Sequence, residues 1–374
     1  MDIPIDYIIA NSSTKTDFSK STISNFKRSE VLTQLKKSLK NSNIPNAIMW
    51  MTELHCSGHI NQIINELISF YSININITNP NLPYYFYQRY KSYINITKNY
   101  KKVHLLETRN NQEIRNILAD LTYCITYSNK NTYISHIKKP KQEDYIKTNI
   151  QARLISHNLK LISNIISNKC PSEIQLGINE IANHLHNINA PLEEPYFWFE
   201  WLLKLSKYNH KNKIEFMKEN EWYLLIWKII YNEAELRNHN RILIQIKSLF
   251  ELYKIVTKSK RKDIIFCAII FLKKNIDWSI PIFRSYSLRI QTIGNINQMY
   301  NYIGRKLNNM ELNKYNDIKN KSLNDNNKIK QEHQQYMDKL KIKRKLKYIN
   351  YIPLKKSFEP EYVVSNKDYK NIII

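Results

Sequence analysis

Ser29-Glu30-Val31-Leu32-Thr33-Gln34-Leu35-Lys36-Lys37-Ser38-Leu39, followed by Pro45-Asn46-Ala47-Ile48-Met49-Trp50-Met51-Thr52-Glu53-Leu54 and then Ser57-Gly58, is the stretch from which the fold is read. Val31, Leu32, Leu35 and Leu39 recur at helical spacing behind Ser29, a residue type that caps helix N-termini. Pro45 closes this first helix, because proline is tolerated in a first turn and not in a helix interior. Behind it Ala47, Ile48, Met51 and Leu54, with Trp50, form a second apolar stripe. Gly58 then supplies the left-handed residue on which helices commonly stop. Short amphipathic helices with no strand-like alternation predict an all-α chain.

The same pattern extends outward. A third helix is expected from about Asn61 through Ile64, Leu67, Ile68 and Tyr71. The turn Asn79-Pro80-Asn81-Leu82-Pro83 starts a tyrosine-rich helix from Tyr84 to Ile96, and another carries Ile114, Ile117, Leu118 and Leu121. Lys138-Lys139-Pro140-Lys141 marks a linker. Helices resume with one from about Tyr145 to Ser167, and Cys170-Pro171-Ser172-Glu173 opens the next. Ile264 to Leu272, bracketed by lysines, reads as a core helix, far short of the roughly 20 residues that cross a bilayer. A last helix is expected from Ile290 to Ile303.

The two halves share an order of features. Ser29-Glu30-Val31, Pro45, Trp50 and Glu53-Leu54 correspond to Ser172-Glu173-Ile174, Pro195, Trp198 and Glu200-Trp201-Leu202. The reading is two tandem multi-helix modules, related by an internal duplication, plus a basic C-terminal tail. In domain terms it gives a flexible arm at 1–26, module 1 at 27–130 and a linker at 131–145. Module 2 follows at 146–304, and a largely non-globular tail at 305–374.

Composition then excludes much chemistry. The chain has 374 residues, with 57 Lys and Arg against 32 Asp and Glu, a formal charge of +25 at pH 7. It contains only 4 glycines, none paired at the spacing by which a phosphate-binding loop lets backbone N–H groups approach a nucleotide. No GxSxG nucleophile motif occurs, and paired acids such as Glu193-Glu194 have no spacing that marks a hydrolase. Cys56, Cys124, Cys170 and Cys267 form no close pair and read as reduced, mostly buried thiols. His55 and His59 lie one helical turn apart, but no third ligand accompanies them and Gly58 breaks the helix between them, so no metal site is read. The N-terminus has no charged segment followed by an apolar run and a small-residue cleavage site, so an intracellular location is expected, in cytoplasm, nucleus or a viral factory. The expectation is a non-enzymatic protein with no cofactor and no membrane partner.

Three segments carry the charge that points to function. Lys339, Lys341, Lys343, Arg344, Lys345 and Lys347 crowd a stretch with interleaved Leu340, Ile342 and Leu346. Closely spaced cations on a helix neutralise phosphates and release counterions, which gives salt-dependent binding with little sequence information. The other reading is a solvated helix in a lysine-rich chain, since Ile, Asn, Lys and Tyr are what AT-rich codons produce. Lys258, Lys260, Arg261 and Lys262 form a second cluster between two expected helices, able to contact phosphate. In the third, Arg89 and Lys91 interleave with Tyr84, Tyr85, Tyr87, Tyr90 and Tyr93, an arrangement that either stacks on single-strand bases or packs a core with its hydroxyls at the rim. The partner expected is nucleic acid, DNA or RNA, bound without sequence preference. The alternative is an acidic protein held by the tail of a protein-interaction or virion structural component.

Lys37-Ser38-Leu39, Ala47, Trp50 and Gly58, with Asn79-Pro80 further on, also resemble in order the helical C-terminal region of clamp-loader-related AAA+ proteins. This is the replication-associated family that includes the Werner-helicase-interacting proteins. The resemblance covers roughly residues 29 to 130 and rests on packing residues. No counterpart of the family's ATPase module is read in the chain, so the resemblance implies a collar-like oligomerising or scaffolding role without ATP hydrolysis. The chain is also similar in composition and element order to helical proteins of large AT-rich DNA viruses.

Overall fold

The computed structural model describes residues 3, 7–9, 15–98, 105–137, 140–141, 143–145, 147–156, 158–166, 170–211 and 217–305. The helices are α1 (Arg28–Lys40), α2 (Ile44–Cys56), α3 (Ile60–Asn74), α4 (Leu82–Lys98), α5 (Leu105–Arg109), α6 (Gln112–Tyr127), α7 (Lys147–Arg153), α8 (Ser172–His186), α9 (Glu193–Lys211), α10 (Glu219–Leu236), α11 (Asn240–Ile255), α12 (Lys258–Lys273) and α13 (Tyr286–Gly294). A further helical stretch covers 296–305. No strand occurs among the described residues, where an isolated bridge joins Ser21 and Lys27. The fold is all-α.

The chain forms two compact units that do not follow chain order. One comprises Met1–Ile63, Ser92–Tyr123 and Ser285–Ile374, and the other Ile64–Lys91 and Cys124–Arg284. The modules expected at 27–130 and 146–304 are each contiguous in sequence, whereas the boundaries of these units fall inside α3, α4 and α6. Hydrophobic periodicity reports that a helix buries a face, and says nothing of which distant helix covers it.

In the first unit α1 and α5 pack on α2. Asn43 caps α2 by accepting the Asn46 N–H at 3.1 Å, and Pro45 sits in the first turn, where its missing N–H leaves no bond unmade. Gly58 has φ +77°, and a Cβ there would lie 3.1 Å from a Leu105 methyl and 3.2 Å from Lys15 Cβ, so backbone and space both require glycine. Ser29 does not cap α1: Lys27 holds the cap position without a side-chain bond, and Ser29 lies inside the first turn. Two arginines are fully buried here. Arg109 Nε donates to the Cys56 carbonyl at 2.5 Å. Arg115 donates to the Arg109 carbonyl (2.6 Å), Asn297 Oδ1 (2.8 Å), Asn110 Oδ1 (3.0 Å) and the Tyr7 carbonyl (3.1 Å), with its guanidinium 4.0 Å over the Tyr300 ring. The expected helix Ile290 to Ile303 is two helices, broken after Gly294, and Arg289 on α13 is held bidentate by the buried Asp120 at 2.7 and 3.1 Å.

In the second unit α8 pairs with α9, α10 packs on α8, α11 and α12, and α11 pairs with α12. Ile264 to Leu272 are all buried, with Tyr196 and Phe199 of α9 packed on Phe266, and Trp198, Trp222 and Trp227 are fully buried in the same unit. Each fully buried side chain of this size contributes about 1.5–3 kcal/mol by removal of apolar surface from water. Gly177 permits the close crossing of α8 and α9, since a Cβ there would stand 2.8 Å from Leu202. The segments matched between the two halves, α1 with α2 and α8 with α9, each form a packed helix pair. Trp50 is half-buried against Phe26, whereas Trp198 is fully buried.

The helix expected from Tyr145 to Ser167 stops at Arg153. Glu180, buried on α8, accepts the Ser156 N–H at 2.9 Å and the Ile155 N–H at 3.3 Å. Asn179 donates to Ser156 Oγ at 2.7 Å and to the Asn158 carbonyl at 2.9 Å. A continuing helix would commit those N–H groups to its own carbonyls. Bonds to a buried carboxylate, which otherwise lacks solvation, win over the local apolar period of Leu154, Ile162 and Ile165.

Candidate nucleic-acid interface

Lys258, Lys260, Arg261 and Lys262 do not lie between helices. They are the first turn of α12, which starts six residues before its apolar run. Thr257, extended at φ −63° and ψ 153°, is the cap residue and gives its N–H to Asn65 Oδ1 at 2.8 Å. The sequence reading started this helix at the apolar residues and so missed its cationic turn.

That turn contains no acidic residue, and cations at a helix N-terminus oppose the macrodipole by roughly 0.3–1 kcal/mol each. Acids on other helices offset this. Lys260 Nζ is 3.7 Å from Glu66 on α3, and Lys262 Nζ is 3.5 Å from Glu200 on α9. Asp263 accepts from Ser69 Oγ at 2.8 Å; burial pushes its carboxyl above the usual range, while the Ser69 bond, Lys260 and Lys262 pull it back. Arg261 lies 5.0 Å over the Tyr253 ring, and Lys258 is exposed.

Helix α11 links this turn to α4. Gln245 accepts the Tyr84 N–H at 3.0 Å and so caps α4 from a neighbouring helix. Glu251 accepts from Lys254 Nζ at 2.6 Å and from the Tyr87 hydroxyl at 3.3 Å. Burial, and then the Glu251 charge, push the Tyr87 phenol up. Lys91, exposed, lies 5.7 Å over the Tyr87 ring, and Lys254 lies 5.3 Å over Phe250. Arg89 is half-buried on α4. Through α11 the structure therefore joins Lys91 to Arg261, with Lys254 between them, while Lys260 and Lys262 turn to α3 and α9. Sequence reasoning missed Glu251, Glu66 and Glu200; only the Glu251 to Lys254 spacing, one helical turn, is a local signal.

Lys339, Lys341, Lys343, Arg344, Lys345 and Lys347 lie outside the described residues. The rings of α4 are placed in the core or at its rim: Tyr85, Phe86 and Tyr93 are buried, and Tyr84, Tyr87 and Tyr90 are half-buried.

His55, Cys56 and His59 are buried in the first unit. His55 Nδ1 is hydrogen-bonded to the Tyr300 hydroxyl, and the His59 ring meets the Phe18 carbonyl at 2.9 Å, so the two histidines serve different partners. Burial, with Arg115 and Arg109 nearby, brings His55 down to about 3. Burial pushes the Cys56 thiol up to about 12 and Cys267 well above its ordinary value, which makes both poor nucleophiles at neutral pH. All four cysteines are free and buried. Among the described residues no group of three or more His, Cys, Asp or Glu is placed to hold a metal ion, and no helix is long and apolar enough to cross a membrane.

No family model, curated protein or solved structure matches the chain.

Proposed function

We propose that the protein is a non-enzymatic, nucleic-acid-associated accessory or scaffold protein of a replication-related kind. Its helical modules serve assembly in the manner of a clamp-loader collar, and its basic segments hold phosphates. The observation that carries this reading is the basic face of α4, α11 and α12. There Lys91 lies over Tyr87, whose hydroxyl meets Glu251 beside Lys254, Arg261 lies over Tyr253, and Lys258 is exposed in the first turn of α12, a cationic N-terminus with no acid of its own. Lys339 to Lys347 supply a further cation-rich segment. Such a protein binds by counterion release, so its affinity falls steeply with salt.

The test is a salt series of binding to random-sequence nucleic acid, with the whole chain and with residues 306–374 removed. Each phosphate contact adds about 0.9 to the slope of log affinity against log salt on a duplex. A shallower slope on truncation assigns part of the binding to that segment. A flat salt response, or no binding, overturns the proposal and favours an acidic protein as the partner.

A further inference from the structure

We infer that the basic face of α4, α11 and α12 binds a double helix through its phosphates and does not stack on the bases of a single strand. This deepens the function proposed above and rests on it. Base stacking needs an accessible ring face beside the cations that track the backbone. On this face three rings already have a cation over them. Lys91 lies over Tyr87, Lys254 over Phe250 and Arg261 over Tyr253, and Phe250 and Tyr253 stack on each other at 5.9 Å with an interplanar angle of 9°. Tyr253 is buried, Phe250 and Tyr87 are half-buried, and the Tyr87 hydroxyl is tied to Glu251.

The cations thus occupy the positions that bases would take. A base entering against Tyr87 or Phe250 would displace the lysine that holds its own phosphate, so stacking and charge neutralisation compete at each ring. Gln245, whose side chain could read a base edge, is buried and committed to the N-terminus of α4. What remains is charge carried on α12, on α11 packed against it, and on α4 tied to α11 by Gln245 and Glu251. Such a surface favours the partner with the denser line of phosphates, and a duplex carries one charge per about 1.7 Å of axis.

The experiment uses the full chain and fluorescence anisotropy across a salt series. The probes are random-sequence DNA and RNA duplexes and an oligo-thymidine of equal length, whose unstacked bases favour stacking proteins. The expected result is a duplex affinity at least about tenfold above that of oligo-thymidine at matched salt. Lys91→Glu with Lys258→Glu, both at exposed positions, should weaken duplex binding about tenfold or more and leave the helical circular dichroism unchanged. Equal or tighter binding of oligo-thymidine, with the salt dependence intact, overturns this inference while leaving the proposed function standing. Unchanged duplex affinity in the double variant also overturns it, by placing the binding elsewhere on the chain. Absence of binding to every probe removes the proposed function and this inference with it. The DNA and RNA arms decide which duplex is preferred.

Discussion

His55 makes the first unit acid-sensitive. The side chain is fully buried, hydrogen-bonded to Tyr300, and faces the positive charges of Arg115 and Arg109, so its imidazole is neutral in the folded state and brought down to about 3. In the unfolded chain the same group takes up a proton near pH 6.5. Between those values the unfolded state binds more protons, so the contribution of His55 is fully present above pH 6.5 and is lost as pH falls toward 3. Each pH unit well inside that window is worth 2.303RT, and with half of the unfolded chains already protonated at 6.5, lowering the pH from about 6.5 to 4.5 removes about 2 kcal/mol. The comparison is with His55→Gln, which cannot titrate and keeps a polar side chain of similar size. Cys56 is the one cysteine of this unit in the sequence, and it is buried. Its labelling in a urea series by a dipyridyl disulfide, located by peptide mass, reports the opening of this unit alone. The wild-type midpoint should fall with pH, and the stability of His55→Gln should fall by about 2 kcal/mol less over the same range. Parallel loss in both proteins would show that His55 is protonated in the folded state and would refute the reasoning.

Gly177→Ala gains helix propensity but drives a Cβ to 2.8 Å from buried Leu202, so a net loss of about 1–2 kcal/mol is expected in urea unfolding followed by tryptophan fluorescence, five of the six tryptophans being in that unit. Asp120→Asn leaves Arg289 with a neutral partner; because Arg289 keeps some solvent contact, about 2 kcal/mol is expected, seen as faster proteolysis after Arg289. Glu180→Gln weakens the acceptor for the Ile155 and Ser156 N–H groups, and those two amides should exchange hydrogen about tenfold faster or more, while the amides of central α12 do not change. Cys56 and Cys267 in the native protein at neutral pH should resist alkylation until the chain is unfolded, and rapid labelling of either would contradict their burial.

Most helices were legible because their cause is local. The start of α2 near Pro45, its end at Gly58 and the burial of Ile264 to Leu272 follow from the place of proline in a first turn, the left-handed preference of glycine and an uninterrupted apolar run. What was not legible has distant partners. Glu180 ends α7 from more than twenty residues away, and Gln245 caps α4 from a helix far along the chain. The candidate face divides in the same way. Its cations are visible as a run of Lys and Arg, but the acids that neutralise part of it, Glu66, Glu200 and Glu251, come from three other places in the sequence. The alternation of Tyr with Arg and Lys in α4 is a local pattern, and it leaves base stacking and core packing both open. Whether a cation lies beside a ring or over it depends on tertiary placement.

The interleaving of the two units sets an order of manufacture. The second unit ends at Arg284, so every residue it needs has been synthesised before the last piece of the first unit exists. The first unit must wait for Asn297 and Tyr300, which give Arg115 an acceptor and a ring to lie against. Until the ribosome has passed those codons, the buried guanidinium that α6 carries lacks two of its partners, and the unit that starts the chain is the last to be completed.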